Sequence, residues 1–156
     1  MNTQTQNQVF MYGSNLNLKR LHSRASGWNG QFIRAFIPSY ALHFNKQLSK
    51  GGVAANIMSH STRKVWGILV ELDDDDLEKM DIYEGHPNHY ERKKLDLFSE
   101  NISHVSAYIY TAHPKCIVKG QLPRSEYLGH IIKGAKMCGL PSDYINAIEA
   151  LGRGIV

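Results

Sequence analysis

The chain has 156 residues, enough for one domain with a real core and too few for two independently cored ones. Its 42% hydrophobic, 21% charged and 10% aromatic residues exclude low-complexity disorder and collagen-like repeats. The net charge of +4 with neutral histidines is scattered, with only Arg92-Lys93-Lys94 forming a run; this argues against a nucleic-acid face and suits small anionic ligands. Cys116 and Cys138 form no CxxC, and a chain of this size needs no covalent staple, so both read as reduced, buried thiols. No apolar run approaches the ~18 residues of a membrane span, and the polar tail, residues 1–8, lacks the blocks of a signal peptide. The expectation is a cytoplasmic protein with neither a membrane nor a nucleic-acid partner.

After the tail, Val9-Phe10-Met11-Tyr12 reads as a short buried strand ended by Gly13. Asn15 then reads as the N-cap of a helix with Leu18, Leu21 and Ala25 on its inner face, ending near Gly27. A strand is expected from Phe32 to Ile37, closed by Pro38, and another where Tyr40, Leu42 and Phe44 alternate with Ala41 and His43. Asn45 to Gly51 is then a loop. Gly52–Met58 and Lys64–Leu72, separated by His60-Ser61-Thr62-Arg63, read as a hairpin.

Asp73 to Asp76 place an N-cap and negative charge at the positive end of a helix dipole, with metal binding the lesser reading of that run. Along that helix Leu77, Met80 and Glu84 share one face, an unusual place for a carboxylate. The chain is β-like from Tyr90 to Phe98 and again from Val105 to Thr111. Ser125 reads as the cap of a helix carrying Leu128, Ile131, Ile132 and Ala135, stopped by Gly139 and Pro141, and a last helix covers Asp143 to Leu151. Short consecutive strands interrupted by one helix and closed by others predict a single α+β domain over 1–156, mostly antiparallel, as a curled sheet or small barrel.

Two stretches could carry chemistry. In Tyr12-Gly13-Ser14-Asn15, glycine between strand and helix would let successive N–H groups converge, with the helix dipole adding positive potential; a carboxylate fits such a turn better than a polyphosphate, because neither GxxxxGK[ST] nor GxGxxG is present. A plain capped turn is the competing reading. Glu84, at a helix end before Gly85 and Pro87, would be partly out of water, its pKa raised toward the range useful for moving a proton near neutrality. A buried glutamate bonded to backbone or tyrosine competes with that reading. Asp81 lies close to it, but two carboxylates on one helix suit glycosidase chemistry poorly. His86 and His89 form an HxxH interrupted by Pro87 with no third ligand evident, so no metal site is expected. Cys116 lacks evident partners and GxSxG is absent, which weakens a nucleophilic hydrolase reading. Tyr90 and Tyr127 could line a pocket or simply pack.

Taken together, VFMYGSNL, GGVAANI, KVWGILVEL, MDIYEGHPNHYERK and PRSEYLGHIIKGAKMCGLPSDY, in that order from Val9 to about Leu151, resemble the γ-glutamylcyclotransferase family. The resemblance implies a β-barrel with flanking helices and a cofactor-free, metal-free reaction. In that reaction the free amine of a γ-glutamyl group attacks its own γ-amide carbonyl, releasing 5-oxoproline and an amino acid or amine. It implies Glu84 as the catalytic acid/base, Val9, Phe10, Met11, Tyr12, Gly13 and Ser14 as the substrate-binding turn, and Tyr90 and Tyr127 as pocket tyrosines. The implied partner is a small γ-glutamyl substrate, and the chain would be a monomer or homodimer. EGHPNHY also resembles γ-glutamylamine cyclotransferases and AIG2-like proteins. A γ-glutamylamine cyclotransferase, or a non-catalytic small-carboxylate-binding module of the same fold, is therefore the alternative.

Overall fold

In the computed structural model, which describes residues 5–101 and 103–155, the first apolar run forms strand β1 (Gln6–Met11). The polar tail is shorter than expected. Gln6 already pairs with Asp73, and Asn7 donates its side-chain amide to the Leu72 carbonyl and to Asp74 Oδ1 at 3.1 and 2.9 Å; residues 1–4 lie outside the described residues.

A three-residue 3-10 turn (Ser14–Leu16) precedes helix α1 (Leu18–Arg24). The expected cap is therefore displaced: Asn17, not Asn15, stands at the N-cap, its Oδ1 accepting from the Arg20 amide at 3.4 Å. The tighter turn consumes residues before the α-helix can begin.

The strands expected on either side of Pro38 are one, β2 (Ile33–Gln47), which continues through a register shift at Pro38 and Tyr40, where Ser39 takes φ 62. An irregularity of this kind absorbs the missing N–H of proline without ending the strand. Asn45 to Gln47, read as loop, also belong to β2. The predicted hairpin is overturned as well. Its two halves form a single strand, β3 (Val53–Asp73), and pair with β2 instead of each other, Val53–Ser59 against Tyr40–Gln47 and Lys64–Leu69 against Ile33–Pro38. His60–Arg63 stand opposite Ser39 alone, shaped by His60 Nδ1 accepting from the amides of Thr62 and Arg63 at 3.1 and 3.2 Å. The real reversal is Leu48–Gly52, closed by Leu48 N–H on the Gly52 carbonyl at 3.0 Å. There Gly51 and Gly52 take φ of 90° and 83°, which a side chain would resist.

Helix α2 (Asp74–Glu84) begins as expected, Asp73 Oδ1 accepting from the Asp76 amide at 2.8 Å with three acids in the first turn. It ends at Gly85 in the left-handed region, the Gly85 and His86 amides closing on the carbonyls of Ile82 and Asp81. Strands β4 (Tyr90–Ser99) and β5 (His104–Ala112) follow, then α3 (Ser125–Met137) and α4 (Ser142–Gly152). Ser125 is the first residue of α3 and not its cap; Arg124 holds the cap position, its guanidinium donating to the Lys50 carbonyl at 2.8 Å.

The strands close into a barrel in the order β1-β3-β2-β4-β5. Five strands cannot alternate direction all the way round a ring, so one neighbouring pair must be parallel. That pair is β1 and β5, joined at the single register position Val9 and Tyr108, while the other four pairs are antiparallel. Val9, Ile68, Leu72, Leu97 and Ile109 are fully buried in the core, and α3 turns Leu128, Ile131 and Ala135 inward. Gly134 lets α3 seat on the 3-10 turn, because a Cβ there would lie 2.2 Å from the Leu16 carbonyl carbon.

Candidate active site

Strand β1 delivers its last residues to the end of the barrel where α2 also stops. There Phe10, Met11, Tyr12, Gly13, Ser14, Asn15, Ala55, Glu84, Tyr90, Tyr110 and Tyr127 surround an inner pocket of about 40 Å³. Of the residues singled out in the sequence, Phe10 to Ser14, Glu84, Tyr90 and Tyr127 come together; Val9 is fully buried between its β-sheet neighbours and does not line the pocket.

Asn15 joins the turn to the acid. Its side-chain amide donates to Glu84 Oε1 at 3.2 Å and approaches Met80 Sδ at 3.6 Å, while its Oδ1 accepts from Arg24 at 3.1 Å. Burial is the largest influence on the Glu84 carboxyl and raises its pKa; Arg24, the Asn15 hydrogen bond, Lys46 and Arg20 pull in the opposite direction. Among the described residues, no Lys or Arg nitrogen comes within 4 Å of this carboxylate. It is held by a neutral amide and remains free to exchange a proton.

Two tyrosines are fixed through the backbone of one residue, Ala55. The Tyr90 hydroxyl donates to the Ala55 carbonyl at 2.7 Å, and the Tyr127 hydroxyl accepts from the Ala55 amide at 2.9 Å. Tyr12 donates to the Tyr110 carbonyl, and Tyr110 donates to Asp81 Oδ1 at 2.7 Å. Burial pushes all four phenols up, Tyr127 to about 12, so they are neutral near pH 7 and act as hydrogen-bonding groups. Asp81 is turned away from Glu84 into the Tyr110 bond and an ion pair with Arg92 at 3.3 Å.

Gly13 keeps room free in the pocket, although nothing around it is close enough to forbid a side chain. Its φ is −111°, and a Cβ would stand 3.4 Å from Ala55 Cβ and 3.7 Å from the Tyr127 hydroxyl, inside the pocket. The expected helix dipole does not act at this turn, because α1 starts only at Leu18. The donors available are the first amides of the 3-10 turn, which lack an acceptor within it.

A second chamber of about 310 Å³ lies on the outer side of Glu84 and shares Ser14, Tyr90 and Tyr127 with the inner pocket. Arg20, Arg24, Lys46 and His89 also line it. These four side chains, with Ala55 and Tyr110, are the residues that sequence reasoning did not place at the site; Asn15 was expected there only as a helix cap. For Lys46 a signal existed: it continues the period-two series Leu42, Phe44, Lys46, all inward and buried.

The HxxH histidines part company. His86 Nδ1 accepts from the Arg92 amide at 3.0 Å, and His89 Nδ1 faces Lys46 Nζ at 3.1 Å. No group of three His, Cys, Asp or Glu able to hold a metal occurs among the described residues. Cys138 is a buried free thiol pushed up to about 11 by burial, whereas Cys116 is free and only half-buried, contrary to expectation. No helix among the described residues is long and apolar enough to cross a membrane.

Residues 64–148 match the AIG2-like family, and no curated protein matches the sequence. Among solved structures, one described as a γ-glutamyl cyclotransferase is similar with a TM-score of 0.85 at 24% identity, over 94% of this chain and 88% of that one. An uncharacterized protein from Homo sapiens is similar with a TM-score of 0.83 at 24% identity, over 93% and 87%. A yeast γ-glutamyl cyclotransferase described as specific to glutathione gives 0.70 at 10% identity, over 97% of each chain. At these identities the likeness establishes the fold: a closed five-stranded barrel with four flanking helices.

Proposed function

The chain belongs to the AIG2-like family, and from that premise we propose that it is a γ-glutamyl cyclotransferase with Glu84 as its general acid/base. The observation that carries this reading is the position of Glu84: its carboxyl shares one small pocket with the turn Tyr12–Ser14, and Asn15 bridges the two at 3.2 Å.

The substrate's α-amine is an ammonium at neutral pH and cannot attack. The Glu84 carboxylate takes one proton from it, and the freed amine nitrogen adds to the γ-amide carbonyl carbon, forming the five-membered ring. Collapse of the tetrahedral intermediate breaks the original C–N bond as Glu84 gives the first proton to the departing nitrogen. Glu84 then takes the second proton from the ring nitrogen and passes it on, so the products are the lactam 5-oxoproline and the released amine as its ammonium. A single carboxylate with a raised pKa suits both transfers. No cofactor and no water enters the balance.

Because nucleophile and carbonyl belong to one molecule, the protein gains mainly by holding the folded conformer and receiving the developing negative charge. The amides that open the 3-10 turn supply donors for an anionic substrate oxygen, while Tyr90 and Tyr127, braced on Ala55, shape the opposite wall. The test is 5-oxoproline release from a panel of γ-glutamyl dipeptides. Glu84→Gln keeps the shape and the Asn15 contact but removes the proton acceptor, so kcat is expected to fall at least ~10²-fold. Wild-type turnover by the glutamine variant would eliminate this mechanism.

A further inference from the structure

The outer chamber is charged beyond what the protein itself neutralises. Lys46 is only 3% exposed, a rare state for a lysine unless it is paired. Its Nζ faces His89 Nδ1 at 3.1 Å and the ring of Tyr90 at 5.4 Å. Arg24 is engaged by the Asn15 side-chain oxygen and by the ring of Tyr83, 5.1 Å from its Cζ. Arg20 Nε is buried without a hydrogen-bond partner among the described residues. None of the three is in an ion pair within 4 Å among the described residues. Three cations thus share the chamber with one carboxylate, that of Glu84. A buried lysine and two half-buried arginines with no counter-ion in contact are costly, and that cost is offset when an anion enters.

On the cyclotransferase reading, the γ-glutamyl head is held at the turn Tyr12–Ser14 with the scissile nitrogen at Glu84, and the departing part of the substrate takes the larger chamber lined by Arg20, Arg24 and Lys46. In a γ-glutamyl α-amino acid a carboxylate is attached one carbon from that nitrogen. In a γ-glutamyl amide of a lysine side chain, the carboxylate is several atoms farther out and accompanied by an ammonium, which the three cations repel.

We propose that Arg20, Arg24 and Lys46 form a subsite for the carboxylate of the leaving amino acid, and that this carboxylate is what the protein reads to distinguish γ-glutamyl amino acids from γ-glutamyl amines. The assignment rests on the cyclotransferase reading of Glu84. Lys46 is its main specificity-determining residue, because Arg24 also orients Asn15 and so touches the proton-transfer machinery.

The experiment compares γ-glutamyl-alanine with γ-glutamyl-alaninamide, which differ by a single charge at nearly constant shape. Wild type is expected to prefer the acid by at least ~10-fold in kcat/KM, mainly through KM. Lys46→Met keeps most of the side chain and removes the charge; it should lower the acid-over-amide preference in kcat/KM about 10-fold, a ratio that the loss of this charge near Glu84 does not itself change because it acts on both substrates alike. Lys46→Arg should restore most of the preference. Equal use of acid and amide by wild type overturns the subsite while leaving the cyclotransferase reading intact, as does an equal loss on both substrates in folded Lys46→Met. Failure of the folded wild type to release 5-oxoproline from either compound overturns the cyclotransferase reading, and the subsite with it.

Discussion

Gly134→Ala should damage both stability and turnover, because it separates two elements that hold the site. A Cβ at Gly134 would stand 2.2, 2.3 and 2.4 Å from the carbonyl carbon and oxygen of Leu16 and the amide nitrogen of Asn17. Ordinary contact needs roughly 3.5 Å, so α3 and the 3-10 turn must part by about 1 Å. Backbone cannot swing aside as a side-chain tip can. Overpacking of this kind costs about 1–3 kcal/mol, and replacing a helical glycine by alanine returns up to about 1 kcal/mol. With the full return the net is up to about 2 kcal/mol of destabilisation, or a Tm lowered by up to roughly 8 °C for a chain of this size. The displaced residues directly follow Asn15, whose 3.2 Å bond to Glu84 does not survive a shift of that size. Turnover should fall ~10-fold or more. The control is Gly129→Ala on the same helix, where a Cβ meets nothing within 4 Å; there the helix gain stands alone, and stability should rise by up to about 1 kcal/mol. Thermal denaturation and 5-oxoproline release measure both variants. If Gly134→Ala is as stable and active as Gly129→Ala, the close approach of α3 to the turn does not govern the site.

Glu84→Gln should increase stability at neutral pH while it removes activity. The folded pKa is raised, so the native state binds more protons than the unfolded chain between the two pKa values, and stability falls as pH rises through that window. The glutamine variant escapes this loss, so its advantage in denaturant titrations should be present above the raised pKa and vanish below the ordinary carboxylate range. Asn15→Ala deletes a donor that favours the charged carboxylate; the acidic limb of kcat/KM, which reports Glu84, should move to higher pH, and an unmoved limb would deny the coupling. Tyr90→Phe leaves the Ala55 carbonyl without its phenol donor and should cost about 1 kcal/mol in chemical denaturation.

The helical half of the fold was the more legible. Four acids before a periodic stretch, with Gly85 after it, mark both ends of α2 from local chemistry alone, and so place Glu84 on the face of Leu77 and Met80. The strands misled where an irregularity imitates a turn. His60–Arg63 are polar and face solvent because four residues stand opposite Ser39, and polarity alone does not separate an outward bulge from a reversal. Asn15 carries every local mark of a cap; only the tertiary contact with Glu84, 69 residues away, explains why it is buried. The outer chamber gathers Arg20, Arg24, Lys46 and His89 from three separate stretches of chain, so their convergence could not be read from spacing.

The parity of the barrel bears on why the pocket lies where it does. With an even number of strands every edge could be satisfied by an antiparallel neighbour, and no peptide group along the ring would be spare. An odd ring leaves a seam, here between β1 and β5, joined only at Val9 and Tyr108. Past that point Phe10 and Met11 are bonded to β3 along one flank, and the chain from Phe10 to Ser14 lines the pocket. A geometric mismatch that would weaken an ordinary sheet thus becomes a supply of unspent main-chain polarity. An insertion that lets β5 zip further along β1 should therefore take these main-chain groups away from the pocket.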